Sequence, residues 1–195
     1  MMVANRQDTR MTVEEWRALE RVSEVKHEYI DGYVYAMAGG SKAHSRIAVN
    51  ILGLLDAAFG DGPCMVYNSD AATRVSESRY TYADVVVSCS DRDQATRDGT
   101  EVQEPRLIVE VLSESTERKD RGRKADDYRA CPSLQEYVLV GTEYQRVEVY
   151  RRTAEGWGLF RFYGPSEVIE LTSVSARLPV AAIYRRTDVP ETAPA

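Results

Sequence analysis

Pro105-Arg-Leu-Ile-Val-Glu-Val-Leu-Ser113 is the stretch of this chain that most strongly predicts its fold. Its central residues are apolar at both odd and even positions, which is typical of a strand buried on both faces of a sheet. Glu110 interrupts the apolar run, and a buried carboxylate must be hydrogen-bonded, paired, protonated or bound to a cation. Glu110 is therefore either a structural acid satisfied by an arginine or lysine, or a functional acid.

A second acid, Asp84, opens the apolar run Ala83-Asp-Val-Val-Val-Ser-Cys89. Alternation along a strand puts Asp84 on one face with Val86, and Glu110 on one face with Ile108. Neighbouring strands lie about 5 Å apart, so the two carboxylates converge if these strands pair. Two carboxylates beside water-filled positions are typical of a Mg²⁺ site. The alternative is that Asp84 is only a turn residue at the strand entry.

The segment that follows the Glu110 strand, residues 115–130, is predicted to be a helix. Four of its polar side chains are spaced four residues apart and share one face: Thr116, Asp120, Lys124 and Tyr128. A pair such as Asp120 and Lys124 is usually a solvated surface pair. Because this helix directly follows the strand, its first turns can instead lie over the strand end, where a lysine would orient a water molecule or offset charge on a phosphate.

The rest of the chain predicts a mixed α/β domain with helices set between strands. The expected helices are 11–23, which starts with a capping box of Thr12 and Glu15, and 42–58. The expected strands are a hairpin at 29–35 turned by Asp31-Gly32, then 64–68, 72–76, 83–89, 105–113, 136–141, 146–152, 157–162 and 168–171. The polar segment 90–104 predicts a long exposed loop. We expect one domain over 11–185, with flexible termini at 1–10 and 186–195.

Composition and charge exclude several classes of protein. The chain has 195 residues, of which 43% are hydrophobic and 29% charged, as in a globular domain. It lacks an apolar run of the roughly 20 residues that a transmembrane helix needs, and its start is unlike a signal peptide, so we expect a cytoplasmic protein with no membrane partner. The net charge of −6 argues against a broad basic face that coats nucleic acid, but not against an enzyme with a narrow cleft.

The cysteines and histidines argue against a zinc site. Cys64, Cys89 and Cys131 are widely spaced and lie in apolar surroundings, which predicts reduced core residues. With only two histidines, His27 and His44, a Cys/His zinc centre is not expected. His44 lies on or beside the apolar stripe of the 42–58 helix. It is interpreted either as a core histidine with a satisfied ring or as a residue at the rim of a site.

In combination, these motifs resemble a large family of bacterial proteins that are classed as endonucleases and were long described as a domain of unknown function. That family belongs to the restriction-endonuclease-like, PD-(D/E)xK, superfamily. The resemblance runs from Met11 to about residue 180. It is carried by Glu28-Tyr-Ile-Asp31-Gly32, Met37, Ser41, His44, Tyr82-Ala-Asp84-Val-Val-Val, Glu110-Val-Leu-Ser, Asp120, Lys124, Tyr128 and Glu136-Tyr-Val-Leu-Val. It implies an α/β fold with a restriction-endonuclease-like core: a central mixed β-sheet flanked by helices, with an extra N-terminal hairpin and extra C-terminal strands.

The resemblance also implies roles for individual residues. Asp84 and Glu110 match the two metal-binding acids of the superfamily, and Glu28 resembles an additional acid that some branches supply from an early element. Leu112 stands where many superfamily nucleases have a catalytic lysine. Some branches place that lysine on the following helix, which makes Lys124 its counterpart here. His44, Asp120 and Tyr128 are accessory candidates.

The function implied is that of a Mg²⁺-dependent endonuclease that hydrolyses phosphodiester bonds in DNA, with Mn²⁺ as a substitute metal. A homodimer is a further expectation, because two-fold symmetry suits an enzyme that cuts two strands. The rival hypothesis is a catalytically silent member that serves as a nucleic-acid or protein binding module. Leu112 in the usual lysine position and the acidic composition favour this rival.

Overall fold

The computed structural model describes residues 10–37, 39–95, 99–114 and 116–193. These residues form six helices: α1 Val13–Glu20, α2 Lys42–Phe59, α3 Asp91–Ala95, α4 Glu117–Arg121, α5 Arg123–Ala130 and α6 Val180–Ile183. They also form thirteen strands: β1 His27–Ile30, β2 Tyr33–Ala36, β3 Met65–Asn68, β4 Ala72–Ser76, β5 Arg79–Thr81, β6 Val85–Ser88, β7 Glu101–Val102, β8 Leu107–Val111, β9 Glu136–Val140, β10 Val147–Thr153, β11 Gly156–Tyr163, β12 Val168–Leu171 and β13 Ala176–Pro179. Among the residues so described, none of the helices has the length and apolar character to span a membrane.

The central sheet has six strands in the order β11-β10-β9-β8-β6-β3, and its β8–β9 pair is parallel whereas the other pairs are antiparallel. Every residue of β8 is buried, as the apolar run predicted. Val109 and Val111 pack in the core cluster that contains α2, while Ile108 and Leu112 pack in the cluster on the other face with α5. The sheet is therefore covered on both faces, and Glu110 lies on the α5 face because it alternates with Val109 and Val111.

A second sheet, in the order β2-β1-β5-β4-β7, carries the N-terminal hairpin. The hairpin turn has positive φ at Asp31 (50°) and at Gly32 (93°), as a tight Asp-Gly turn requires. The capping box of Thr12 and Glu15 is present at the start of α1. Trp16 of α1 packs its ring on Tyr80 of β5, with the ring centroids 4.9 Å apart, and so attaches the helix to this sheet.

Helix α2 matches its predicted range and supplies much of the core on the first face of the central sheet. Ser41 is its N-cap and accepts a hydrogen bond from the backbone N–H of His44, and the helix ends at Gly60. Ile47, Ile51 and Leu55 are fully buried. Their spacing of four residues is the apolar stripe that the sequence showed.

The prediction of a long exposed loop over 90–104 is wrong for the residues that the structure describes. This segment contains α3 and β7, and residues 96–98 lie outside the described ranges. The carboxylate of Asp93 is buried and accepts hydrogen bonds from the backbone N–H groups of Gln103 and Glu104 and from the hydroxyl of Ser88. Asp93 is thus buried in a polar segment because its carboxylate satisfies two backbone N–H groups and one hydroxyl.

The single helix predicted over 115–130 is also wrong, because the chain breaks it into α4 and α5 at Gly122. Gly122 has φ −101° and ψ −114°, outside the helical region, and a Cβ atom there would lie 2.9 Å from the carbonyl oxygen of Arg118. The break turns the chain over the end of β8. The C-terminal residues expected to fray pack in part, since Val189 is buried and the Pro190 carbonyl accepts a hydrogen bond from Gln145.

The prediction of three reduced cysteines is wrong for two of them. Cys64 and Cys89 form a disulfide, whereas Cys131 is free and buried as expected. The antiparallel pairing of β3 with β6 places Met65 opposite Ser88, so the residues just beyond them, Cys64 and Cys89, meet. Sequence spacing did not indicate this bond because the partners are 25 residues apart and become neighbours only through strand pairing.

Candidate active site

Glu110 and Asp84 meet on the central sheet. Strand β6 runs antiparallel to β8 and pairs Val85 with Val109 and Val86 with Ile108. Asp84 and Glu110 are the next residues beyond the Val85–Val109 pair and therefore face each other across the two strands. Oδ2 of Asp84 accepts a hydrogen bond of 2.8 Å from the backbone N–H of Val111, which anchors this carboxylate at the end of β8. The juxtaposition expected from strand alternation is thus found in the structure.

Lys124 of α5 lies against Glu110 inside the protein. Its Nζ atom is 2.6 Å from Oε1 of Glu110, 3.8 Å from Oδ1 of Asp120 and 3.7 Å from Oε1 of Glu28. Only 8% of Lys124 is exposed, so the interpretation of Asp120 and Lys124 as a solvated surface pair is wrong. The break at Gly122 gives the physical reason, because it directs the first turn of α5 onto the sheet face that carries Glu110.

Glu28 comes to the same cluster from β1 of the second sheet. It is 2% exposed, and its Oε1 atom accepts a hydrogen bond of 2.8 Å from the hydroxyl of Thr81. Its Oε2 atom pairs with Nζ of Lys119. Sequence reasoning missed both Lys119 and Thr81, because Lys119 reads as one more charge on a polar helix and Thr81 as an ordinary strand residue. Only the packing of α4 beside β1 and β5 identifies them.

His44 and Tyr128 each contact one of the two sheet acids. Nε2 of His44 is 3.1 Å from Oδ2 of Asp84, and 17% of the imidazole side chain is exposed. The ring of His44 is therefore partnered by the carboxylate of Asp84, beside the candidate site. The hydroxyl of Tyr128 donates a hydrogen bond of 2.5 Å to Oε1 of Glu110.

The electrostatics of the cluster are dominated by burial. Burial first, and then the charges of Asp120 and Asp84, raise the pKa of Glu110 to about 8 although Lys124 acts in the opposite direction. Burial also raises the pKa of Asp120. For Glu28, burial acts to raise the pKa, but Lys124 and Lys119 outweigh it and hold that pKa below its usual value. The cluster thus gathers several acids around Lys124, and burial disfavours the charged forms of Glu110 and Asp120.

The lysine shows the complementary behaviour. Burial acts to lower the pKa of Lys124, but Glu110, Glu28 and Asp120 outweigh it and raise that pKa well above its usual value. Lys124 therefore carries a positive charge at physiological pH. Leu112, in contrast, is 5% exposed and packs in the apolar cluster with Tyr137 and Leu139, so it supplies no charge.

The donor atoms suit a hard cation. Asp84 and Glu110 supply carboxylate oxygens, the ligand type that Mg²⁺ prefers, and Mg²⁺ is commonly held by one or two carboxylates with water completing its shell. Across the ranges that the structure describes, three or more acidic, histidine or cysteine side chains do not gather into a metal-binding group. Asp84 and Glu110 would supply two carboxylates to such a cation.

The fold, a mixed sheet flanked by helices, is restriction-endonuclease-like. The fold is matched by the crystal structure of "a putative nuclease belonging to DUF820" from Anabaena variabilis ATCC 29413. The two share a TM-score of 0.72 at 17% sequence identity, over 89% of this chain and 97% of that chain.

The chain belongs to the Uma2 family, which is described as "Putative restriction endonuclease" and whose model matches residues 13–181. Two relatives are uncharacterized proteins of Synechocystis sp. (strain ATCC 27184 / PCC 6803 / Kazusa). The protein slr1290 is 39% identical over 177 residues, which cover 90% of this chain and 92% of the relative. The protein sll1609 is 33% identical over 164 residues, which cover 83% of this chain and 93% of the relative.

Proposed function

We propose that this protein is a Mg²⁺-dependent endonuclease that hydrolyses phosphodiester bonds in DNA. The observation that supports the proposal best is the position of Lys124, whose ammonium group is 2.6 Å from Glu110 in a buried cluster beside Asp84. A lysine on α5 thereby supplies the charge that Leu112 does not. Membership of the restriction endonuclease family supports a nucleic-acid substrate, and a homodimer remains our expectation for a double-strand cut.

In this proposal Asp84 and Glu110 hold Mg²⁺, or Mn²⁺ as its substitute. When bound, such a metal polarises the scissile phosphate and lowers the pKa of an attacking water. Lys124 keeps its proton, so it acts as a cation that orients the water or offsets charge on the phosphate. Glu28 has both oxygens engaged by Thr81, Lys119 and Lys124, which favours a role in holding these lysines over a role as base.

The test is cleavage of single-stranded, duplex and branched DNA by the wild-type protein and by Glu110→Gln, with and without Mg²⁺. Glu110→Gln keeps the shape of the side chain but removes its charge, so we expect metal-dependent cleavage to be lost while the circular dichroism spectrum is unchanged. Glu136→Gln is the matched control. Glu136 is also a fully buried glutamate of the central sheet, but it lies at the opposite end and is bound by Arg151 and Ser173.

The outcomes separate the proposal from the rival binding module. Cleavage at the wild-type rate in Glu110→Gln contradicts the assignment of the site. If the wild-type protein binds DNA but cuts none of these substrates with Mg²⁺ or Mn²⁺, the result supports the binding module. Two features favour that rival: the buried Leu112 in the usual lysine position and the net charge of −6. In that case Lys124 and Glu110 are a structural ion pair.

A further inference from the structure

The hydroxyl group of Tyr128 is aimed at one oxygen of Glu110. Tyr128 is fully buried, and its hydroxyl lies 2.5 Å from Oε1 of Glu110. A tyrosine hydroxyl is protonated at neutral pH and donates a hydrogen bond. Tyr128 therefore gives Glu110 a short hydrogen bond inside the protein.

Lys124 contacts the same oxygen as Tyr128. Its Nζ atom is 2.6 Å from Oε1 of Glu110, so two donors converge on that atom. Among the described residues, the hydrogen bond from Tyr128 and the closest approach of Lys124 both fall on Oε1. Two donors on one oxygen restrict the rotation of the carboxyl group, which favours Oε2 as the oxygen that faces a cation.

The ring of Tyr128 is itself held in place. It packs edge to face against Tyr137, with the ring centroids 5.1 Å apart and an interplanar angle of 63°. The hydroxyl of Tyr137, also fully buried, donates to the backbone carbonyl of Asp120 over 3.1 Å. Tyr128 thus has a fixed ring and a fixed donor direction, which are the requirements for orienting another side chain.

From this geometry we propose that Tyr128 is a positioning residue for the metal: its hydroxyl holds Oε1 of Glu110 so that Oε2 is presented to Mg²⁺. The inference rests on the proposed function and adds a residue to it. Groups that orient a metal ligand typically change metal affinity by about 10- to 100-fold when they are removed. A buried tyrosine that merely satisfies its hydroxyl with the nearest acid would leave metal affinity unchanged.

The experiment is a titration with Mn²⁺ followed by electron paramagnetic resonance, on the wild-type protein, Tyr128→Phe and Tyr137→Phe. Both variants keep the ring and lose one buried hydroxyl, so both should lose a similar amount of stability. We expect the Mn²⁺ dissociation constant to rise about 10-fold or more in Tyr128→Phe. It should stay at the wild-type value in Tyr137→Phe, whose hydroxyl bonds a backbone carbonyl and not a metal ligand.

A measurement on the wild-type protein guards against a variant that does not fold. With the tyrosine resonances assigned by through-bond experiments, Mg²⁺ should displace the ¹³Cζ resonance of Tyr128 and leave that of Tyr137 in place. Two results would overturn this inference but leave the proposed function standing. One is that the wild-type protein binds Mn²⁺ and folded Tyr128→Phe binds it with the same dissociation constant. The other is that the Tyr128 resonance of the wild-type protein does not move when Mg²⁺ saturates it. Failure of the wild-type protein to bind Mn²⁺ overturns the proposed function and this inference together.

Discussion

Glu110 should make the free energy of unfolding fall as the pH rises from about 4.5 to 8. The side chain is 3% exposed, and burial, followed by the charges of Asp120 and Asp84, raises its pKa from 4.5 to about 8. In the unfolded chain Glu110 titrates near its ordinary value. Between these two pH values the native protein therefore keeps a proton that the unfolded chain has released, and stability decreases.

The size of this effect follows from the two pKa values. Their difference of 3.5 units, at about 1.36 kcal/mol per unit, corresponds to about 5 kcal/mol. This contribution of Glu110 to the free energy of unfolding is fully present below pH 4.5 and is lost by about pH 8. Glu28 does not disturb this window, because its lowered pKa affects stability only at lower pH. Lys124 has a raised pKa that affects stability only above 10.5.

The assay is urea unfolding between pH 5 and pH 9 in the presence of a chelator, with the wild-type protein compared with Glu110→Gln. The difference between their stabilities should change by up to about 5 kcal/mol across this range, equivalent to roughly 10–20 °C in Tm for a chain of this size. Glu148→Gln is the control. Arg121 holds the pKa of the buried Glu148 below its usual value against the effect of burial, so this variant should keep the wild-type slope.

Parallel stability curves for the wild-type protein and Glu110→Gln over this pH range would refute the reasoning. That result would mean that Glu110 is ionised throughout, with Lys124 and Tyr128 compensating the cost of burial completely. The same measurement would then require a lower native pKa for Glu110, close to its unfolded value.

Two further predictions concern the ion pair and the disulfide. Lys124→Met leaves Glu110 and Glu28 without the cation that they share. At pH 8 we therefore expect the free energy of unfolding to fall by about 3–5 kcal/mol and cleavage to be lost. A fall below about 1 kcal/mol, which is typical of an exposed ion pair, would contradict the buried pairing. Replacing both Cys64 and Cys89 with serine opens a loop of 25 residues and should cost about 3.5 kcal/mol by urea unfolding under oxidising conditions. Equal stability of this variant and the oxidised wild-type protein would show that the bond contributes nothing.

The elements of the fold are largely encoded in local sequence. The apolar run of β8 predicted a strand buried on both faces, the stripe of Ile47, Ile51 and Leu55 predicted α2, and Asp31-Gly32 predicted the hairpin turn. These features depend on alternation, helical spacing and turn conformation, which act over a few residues. The same locality explains why Asp84 and Glu110 were recognisable as acids that apolar strands do not normally contain.

Local sequence did not reveal where helices break or which distant residues meet. Gly122 splits the predicted helix at a position where a Cβ atom would lie 2.9 Å from the Arg118 carbonyl oxygen. Helix α5 begins after this break and brings Lys124 to 2.6 Å from Glu110. The disulfide between Cys64 and Cys89 likewise depends on the pairing of β3 with β6. Neither contact has a signal within the few residues that sequence patterns sample.

The sequence by itself determined the type of fold and the unusual acids Asp84 and Glu110, because a carboxylate in a buried strand is costly and therefore conspicuous. The tertiary structure alone decided that Lys119 and Thr81 bind Glu28 and that Tyr128 and Lys124 contact the same oxygen of Glu110. The physical reason is that charges in a buried cluster interact across a few ångströms in space, whatever their separation along the chain, and only folding sets those distances.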